Sequence, residues 1–179
     1  TAEIVTIGML NPETMRGAVY FQSPNNPVPA FEEDGIIFQS GTENDLIQWF
    51  WDAIKSYDHF ITFNGRTFDC PFIMVRSAMH KIKPRRDLMP NRYNGSHIDL
   101  FDQLTFFGAT RRKFSLDMWC KSFGIKSPKA EGITGYDVKD LYASGRHLEI
   151  ARYCLGDIKA TKELFSYWEN YIKFTPERQ

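Results

Sequence analysis

Apolar side chains crowd the start of the chain. Ile4-Val5-Thr6-Ile7 opens a strand-like run over residues 4–10, and residues 17–22 form a second one. The link between them, Asn11-Pro12-Glu13-Thr14-Met15-Arg16, is rich in turn formers. A polar, proline-containing stretch from Ser23 to Pro29 precedes Ile36-Ile37-Phe38, a third strand, so an antiparallel meander is predicted. The period then changes. Leu46, Ile47, Phe50 and Ile54 recur at helical spacing behind Thr42 as N-cap, with Glu43 and Asp45 in the first turn, which predicts a helix over 43–55. Phe60-Ile61-Thr62-Phe63 has the length of a buried strand and ends at Asn64-Gly65, and a helix over 71–80 follows. Strand, tight turn, helix is the α/β pattern. Residues 81–96, interrupted by Pro84 and Pro90, read as an irregular loop, and His97-Ile98-Asp99-Leu100 starts another element. Ser115 caps a helix running to Phe123, with Gly124 at its C′ position. A short helix near 138–142 and a final one from about 148 to 171 complete the chain, the last carrying Ile150, Cys154, Ile158, Thr161, Phe165 and Trp168 along one side. No repeat or linker interrupts the pattern, which predicts one mixed α/β domain over 1–179.

Composition narrows the picture little further. Of the 179 residues, 42% are apolar and 25% charged, a globular balance. No run approaches the roughly 20 apolar residues of a membrane span, and no signal peptide opens the chain. Cys70, Cys120 and Cys154 are odd in number and lack C-x-x-C spacing, which argues against zinc and predicts a reducing, cytoplasmic setting. A formal net charge of zero gives no global basic field, but Lys81, Lys83, Arg85 and Arg86 cluster, as do Arg111, Arg112 and Lys113. Taken alone, such clusters are more often solvated loops than phosphate contacts.

Two segments carry candidate chemistry. In the last helix, Tyr153 and Asp157 are four apart and share a face. They read either as a carboxylate ligand beside a water-orienting phenol, or as a solvated Asp near a half-buried Tyr. At the end of the buried strand lies Asn64-Gly65-Arg66-Thr67-Phe68-Asp69, where Asp69 precedes Cys70-Pro71 and suits either a helix cap or a cation ligand.

Together the segments resemble the second and third motifs of the DEDD superfamily of 3′–5′ exonucleases, above all the proofreading domains of family-B polymerases and their stand-alone relatives. Asn64, Phe68 and Asp69 match Asn, three residues, Phe, Asp; Tyr153 and Asp157 match Tyr, three residues, Asp. Arg152 stands where the histidine subgroup has His, which implies the tyrosine subgroup. Ile98-Asp99-Leu100, Phe114-Ser115-Leu116-Asp117 and Lys129-Ala130-Glu131-Gly132 are similar to further segments of these enzymes. The resemblance implies a ribonuclease-H-like fold with a mixed central sheet, an antiparallel meander plus parallel strands, flanked by helices. It implies removal of nucleotides from the 3′ end of single-stranded nucleic acid, DNA favoured, by hydrolysis with two Mg²⁺ or Mn²⁺ ions. Asp69 and Asp157 would ligate metal, Tyr153 would aim the attacking water, and Asn64 and Phe68 would face the terminal nucleotide, although Phe68 also suits a core position. Arg111, Arg112 and Lys113 become candidates for backbone phosphates, and Asp99 for a helix cap.

The family's first motif, Asp-x-Glu on the first strand, has no counterpart. Glu13 follows a turn, Glu32, Glu33 and Asp34 fall in a loop, and the strand at Ile4 resembles the fold's second strand, so the missing acids are expected before Thr1. Two dications about 4 Å apart repel by roughly 17 kcal/mol at a dielectric near 20, against which Asp69 and Asp157 set only two negative charges. The 179-residue chain by itself is therefore expected to be inactive or feeble. A nuclease-like module that binds nucleic acid or protein without cleaving is the alternative, and no protein partner is implied.

Overall fold

The computed structural model describes residues 2–127, 132 and 134–174. Strands β1 (Thr6–Leu10) and β2 (Gly17–Gln22) form an antiparallel hairpin. Strand β4 (Ile36–Gly41) pairs with β2 in parallel, and β3 (Phe31–Glu33) closes the sheet at its edge in the order β1-β2-β4-β3. The simple meander expected over the first three strands is thus corrected. The short β3 makes one extra reversal, so the chain re-enters alongside β2 in the same direction. Its turn, Asp34-Gly35, has φ of 51° and 78°, the left-handed pair that tight hairpins need. The mixed sheet itself is as expected.

Helix α1 (Glu43–Ile54) starts where its cap demands. The Thr42 hydroxyl accepts from the Asp45 N–H while the Asp45 carboxylate accepts from the Thr42 N–H, satisfying donors at both ends of the first turn. Leu46, Ile47 and Trp51 of α1 are fully buried with Ile4 and Ile7 on one side of the sheet. Helix α2 (Asp69–Met79) joins that layer, where Ser77 accepts the Trp51 indole N–H at 2.9 Å.

Strands β5 (Phe60–Thr62) and β6 (His97–Asp99) form a separate parallel pair, with Thr62 opposite Asp99. Short helices α3 (Leu100–Leu104), α4 (Leu116–Ser122) and α5 (Val138–Ala143) follow. Ser115 caps α4 and Gly124 stands beyond its end at φ 69°.

The long helix α6 (His147–Tyr171) organises the opposite layer. Its first half, through Leu148, Ala151 and Leu155, covers Val19, Phe21, Ile36 and Phe38 of the larger sheet. Its second half, through Leu164 and Trp168, packs with Leu100 and Leu104 and with Ile61 and Ile98 of the β5–β6 pair. One helix therefore runs across both sheets, and its middle turns carry Tyr153 to Asp157. Gly8 permits the close approach of β1 to that middle section. A Cβ there would lie 2.0 Å from Ile158 Cδ1 and 3.0 Å from Cys154 Sγ. Gly8→Ala is expected to cost about 1–3 kcal/mol, read as a lower denaturant midpoint. An unchanged midpoint would mean that Ile158 simply rotates aside. Among the described residues no helix is long and apolar enough to cross a membrane.

Candidate active site

The turn after β5 is built around one carboxylate. Asn64 adopts φ 60°, a left-handed conformation that Asn tolerates better than most residues. Asp99, on the neighbouring strand β6, accepts from the Asn64 N–H at 2.7 Å and the Arg66 N–H at 2.9 Å. It also accepts from Phe101 at 3.0 Å, which is the expected N-cap of α3. Gly65 is required beside it, because a Cβ would meet the Thr62 side chain at 2.6 Å. The turn is further tied by Thr67, whose hydroxyl donates to Asn64 Oδ1 at 2.6 Å. Arg66 is buried and donates to the Pro90 carbonyl, anchoring the 81–96 loop to the same turn. Its charge lies against His97, which burial and this guanidinium hold down to about 4. The imidazole is therefore neutral near pH 7, donating from Nδ1 to Leu88 O and accepting at Nε2 from Thr62.

Asp69 opens α2, but Phe68 is the cap residue and no side chain caps this helix. The plain capping role considered for Asp69 is therefore not the one it plays. Its carboxyl is solvent-accessible yet walled by enough protein to push its pKa upward, with the nearby Asp99 carboxylate adding to the shift. Asp99 is raised as well, chiefly by burial, against the pull of its three N–H donors. Phe68 is not core: its ring is 67% exposed and stacks loosely on Phe72 at 6.3 Å.

On α6, Tyr153 and Asp157 lie four residues apart on one face, close enough for Asp157 to act on the phenol. Burial first, and then the charge of Asp157, push the phenol up to about 12, so it remains a donor at neutral pH. Cys154, between them in sequence, lies half-buried beside Thr6 and is within electrostatic reach of both Asp157 and Asp69. Burial is the main reason its thiol is pushed up to about 12.

Other candidates lie elsewhere. Arg111, Arg112 and Lys113 are exposed on the loop between α3 and α4. Arg152 turns away to pair with Glu33 at 2.8 Å, which also occupies one of the acids weighed for the first motif. Arg85 is spent on Asp52 and Arg86 on the Asp58 carbonyl. Asp117 forms a structural clip with Lys121 and Ser127. Of the Lys129–Gly132 segment, only Gly132 lies within the described residues. The part played by Asp99 in shaping the Asn64 turn was not legible as sequence, since it depends on a strand pairing across 35 positions.

Carboxylate oxygens at 69 and 157 have the right chemistry for Mg²⁺ or Mn²⁺, hard cations that prefer oxygen. Their number is the shortfall. Among the described residues no three His, Cys, Asp or Glu side chains converge to hold a metal.

Residues 34–172 match the family described as a predicted 3′–5′ exonuclease related to the exonuclease domain of PolB. A stretch of 92 residues, 48% of this chain, is 30% identical to DNA polymerase 1 of Sulfurisphaera ohwakuensis, and that match spans 10% of the polymerase's length. The mixed sheet flanked by helices is consistent with a ribonuclease-H-like exonuclease fold. Both motif segments fall inside the matched span, and the chain belongs to the family of 3′–5′ exonucleases related to the PolB exonuclease domain.

Proposed function

We propose that this domain hydrolyses single-stranded nucleic acid, with DNA favoured, from its 3′ end in a Mg²⁺- or Mn²⁺-dependent reaction. The observation that carries this reading is that Tyr153 and Asp157 share one face in the middle of α6, where the helix packs closely on β1 at Gly8 and Asp69 and Asp157 both act on the intervening Cys154. Asp69 and Asp157 would hold the cations, which supply an acidified water and charge relief at the leaving 3′-oxygen. Tyr153, oriented by Asp157, would hydrogen-bond the attacking water. Asn64, fixed by Asp99 and Thr67, would present its amide to the terminal nucleotide, while the exposed Phe68 ring packs on its sugar or base. Arg111, Arg112 and Lys113 would meet backbone phosphates. Three free thiols suit a reducing, cytoplasmic setting.

On this reading the first-motif acids would stand on a further strand, and the free edges of the two sheets support a position for it. Strand β1 ends the larger sheet and β5 ends the smaller, with α6 packed against both. A further strand seated between them would join the two sheets, occupy open backbone donors and acceptors, and carry acids toward Asp69 and Asp157. One observation favours a second reading, a module that binds without cleaving: no three-group metal cluster exists among the described residues.

The test is incubation of the full-length protein with 5′-labelled single-stranded DNA and Mn²⁺. A ladder shortening from the 3′ end supports the nuclease reading; binding without shortening supports the second. Tyr153→Phe is expected to lower turnover about 10- to 100-fold while Mn²⁺ affinity stays near wild type. Unchanged turnover would remove Tyr153 from the reaction.

A further inference from the structure

The nuclease reading leaves a group of exposed aromatic rings unexplained. Tyr93, in the loop between α2 and β6, is 72% exposed. Phe107, after α3, supports it at 4.9 Å between ring centres, and the neighbouring Phe106 is 60% exposed. Phe106 and Phe107 stand at φ 48° and 56°, the left-handed region that bulky residues rarely adopt. The backbone is held there by Phe107 N–H to Asp102 O at 2.7 Å and Phe106 N–H to Gln103 O at 3.2 Å.

Beside Tyr93 opens a cavity of about 410 Å³ lined by Arg66, Thr67, Met89, Asn91, Arg92 and Tyr93. Arg66 and Thr67 belong to the Asn64–Asp69 turn, so the cavity begins at the candidate site and leads to the aromatic rings. Cations accompany the rings: Arg66 and Arg92 line the cavity, and Arg111, Arg112 and Lys113 are exposed on the segment that follows Phe106 and Phe107. Arg92 binds Asp102 through Nη2 alone, at 2.8 and 2.9 Å, leaving its other donors toward solvent at 42% side-chain exposure.

We propose that Tyr93, Phe106 and Phe107, with Arg92 beside them, form a stacking platform for the bases of a single strand beyond its terminal nucleotide. The inference rests on the nucleic-acid reading of the neighbouring turn and extends it by a second subsite. Exposed rings supply sequence-tolerant faces for bases, and interleaved cations follow the backbone. An apolar peptide would match the rings but not the surrounding positive charge.

The test is fluorescence anisotropy of the full-length protein in EDTA, with oligo(dT) of about 12 nucleotides and of about three. Tyr93→Ala is expected to weaken the longer strand about 5- to 100-fold and to leave the shorter one unchanged. Tyr93→Trp retains affinity, and Arg92→Gln lowers the salt slope by about one. Wild-type affinity of Tyr93→Ala for the longer strand, or equal loss at both lengths, overturns the platform. Length-dependent binding through Tyr93 without cleavage supports the platform while removing the nuclease reading. Cleavage with Tyr93→Ala binding as wild type removes the platform and spares the nuclease.

Discussion

Asp157→Ala is expected to lower metal-dependent degradation of single-stranded DNA by the full-length protein roughly 10³-fold or more, with folding intact. Asp157 lies in the middle of a helix whose packing depends on other residues: Leu148, Ala151 and Leu155 toward one sheet, Leu164 and Trp168 toward the other. Its carboxylate is half-exposed and shares a helix face with Tyr153, so on the proposed reading its removal would take away a cation ligand and the group that acts on the phenol. Tyr153→Phe removes only the phenol and costs less. Asp69→Ala should match Asp157→Ala, and the double variant should lose little more, because groups acting as one unit are not additive. Separate, multiplying losses would mean that the two carboxylates serve different steps. The measurement is the initial rate of 3′ shortening, paired with a thermal melt that should not move.

Glu43→Ala is expected to be the most damaging change to stability, about 3–5 kcal/mol. Glu43 is 5% exposed and gathers four donors from three residues, two of them on α2 and its C-cap and one at the approach to β1. Arg76 Nε donates to it at 2.7 Å, the Ile4 N–H at 2.8 Å and His80 Nε2 at 2.7 Å, with Arg76 Nη2 completing a two-pronged pair. Arg76 is itself buried, so the variant strands a guanidinium away from water and frees the approach to β1. Against a typical domain stability of about 5–15 kcal/mol, that loss is a third or more. Burial raises the Glu43 pKa, but the bonds from Arg76, Ile4 and His80 outweigh it and bring the carboxyl down to about 2. A carboxyl whose folded pKa lies below its unfolded value stabilises at pH above that unfolded value. The contribution therefore fades as pH falls from about 4.5 toward 2. Wild type should lose stability across that window, and Glu43→Ala should lose less there. Parallel pH profiles would show that other carboxylates govern acid unfolding.

Elements with strong local signals were legible from sequence. Thr42 and Ser115 cap the helices they were expected to cap; of the expected stripe on α6, Cys154 and Ile158 meet β1 at Gly8 and Phe165 and Trp168 join the β5–β6 cluster, while Leu148, Ala151 and Leu155, outside that stripe, cover the larger sheet. Strand β3 escaped because three residues are too few for alternation to register, although Asp34-Gly35 is a hairpin signal that marked it. Parallel pairing of β2 with β4 followed from the same omission. At the candidate site, local spacing brought Tyr153 and Asp157 to one helix face. It did not reveal that Asp99 shapes the turn at Asn64, nor that Arg66 ties that turn to Pro90, since both contacts join residues more than 20 positions apart. Phe68 remained ambiguous because a Phe near an apolar helix suits core and surface equally; only packing decides, and its ring is out in solvent.

Whether Asp69 and Asp157 share a cation is tested most directly by locating Mn²⁺. Crystals of the full-length protein soaked in MnCl₂ should give an anomalous peak within about 2.0–2.3 Å of an oxygen of Asp69 or Asp157, with the other carboxylate in the same metal cluster and the Tyr153 hydroxyl beside it. Manganese bound only elsewhere, or the two carboxylates too far apart to share one cluster, would contradict the account.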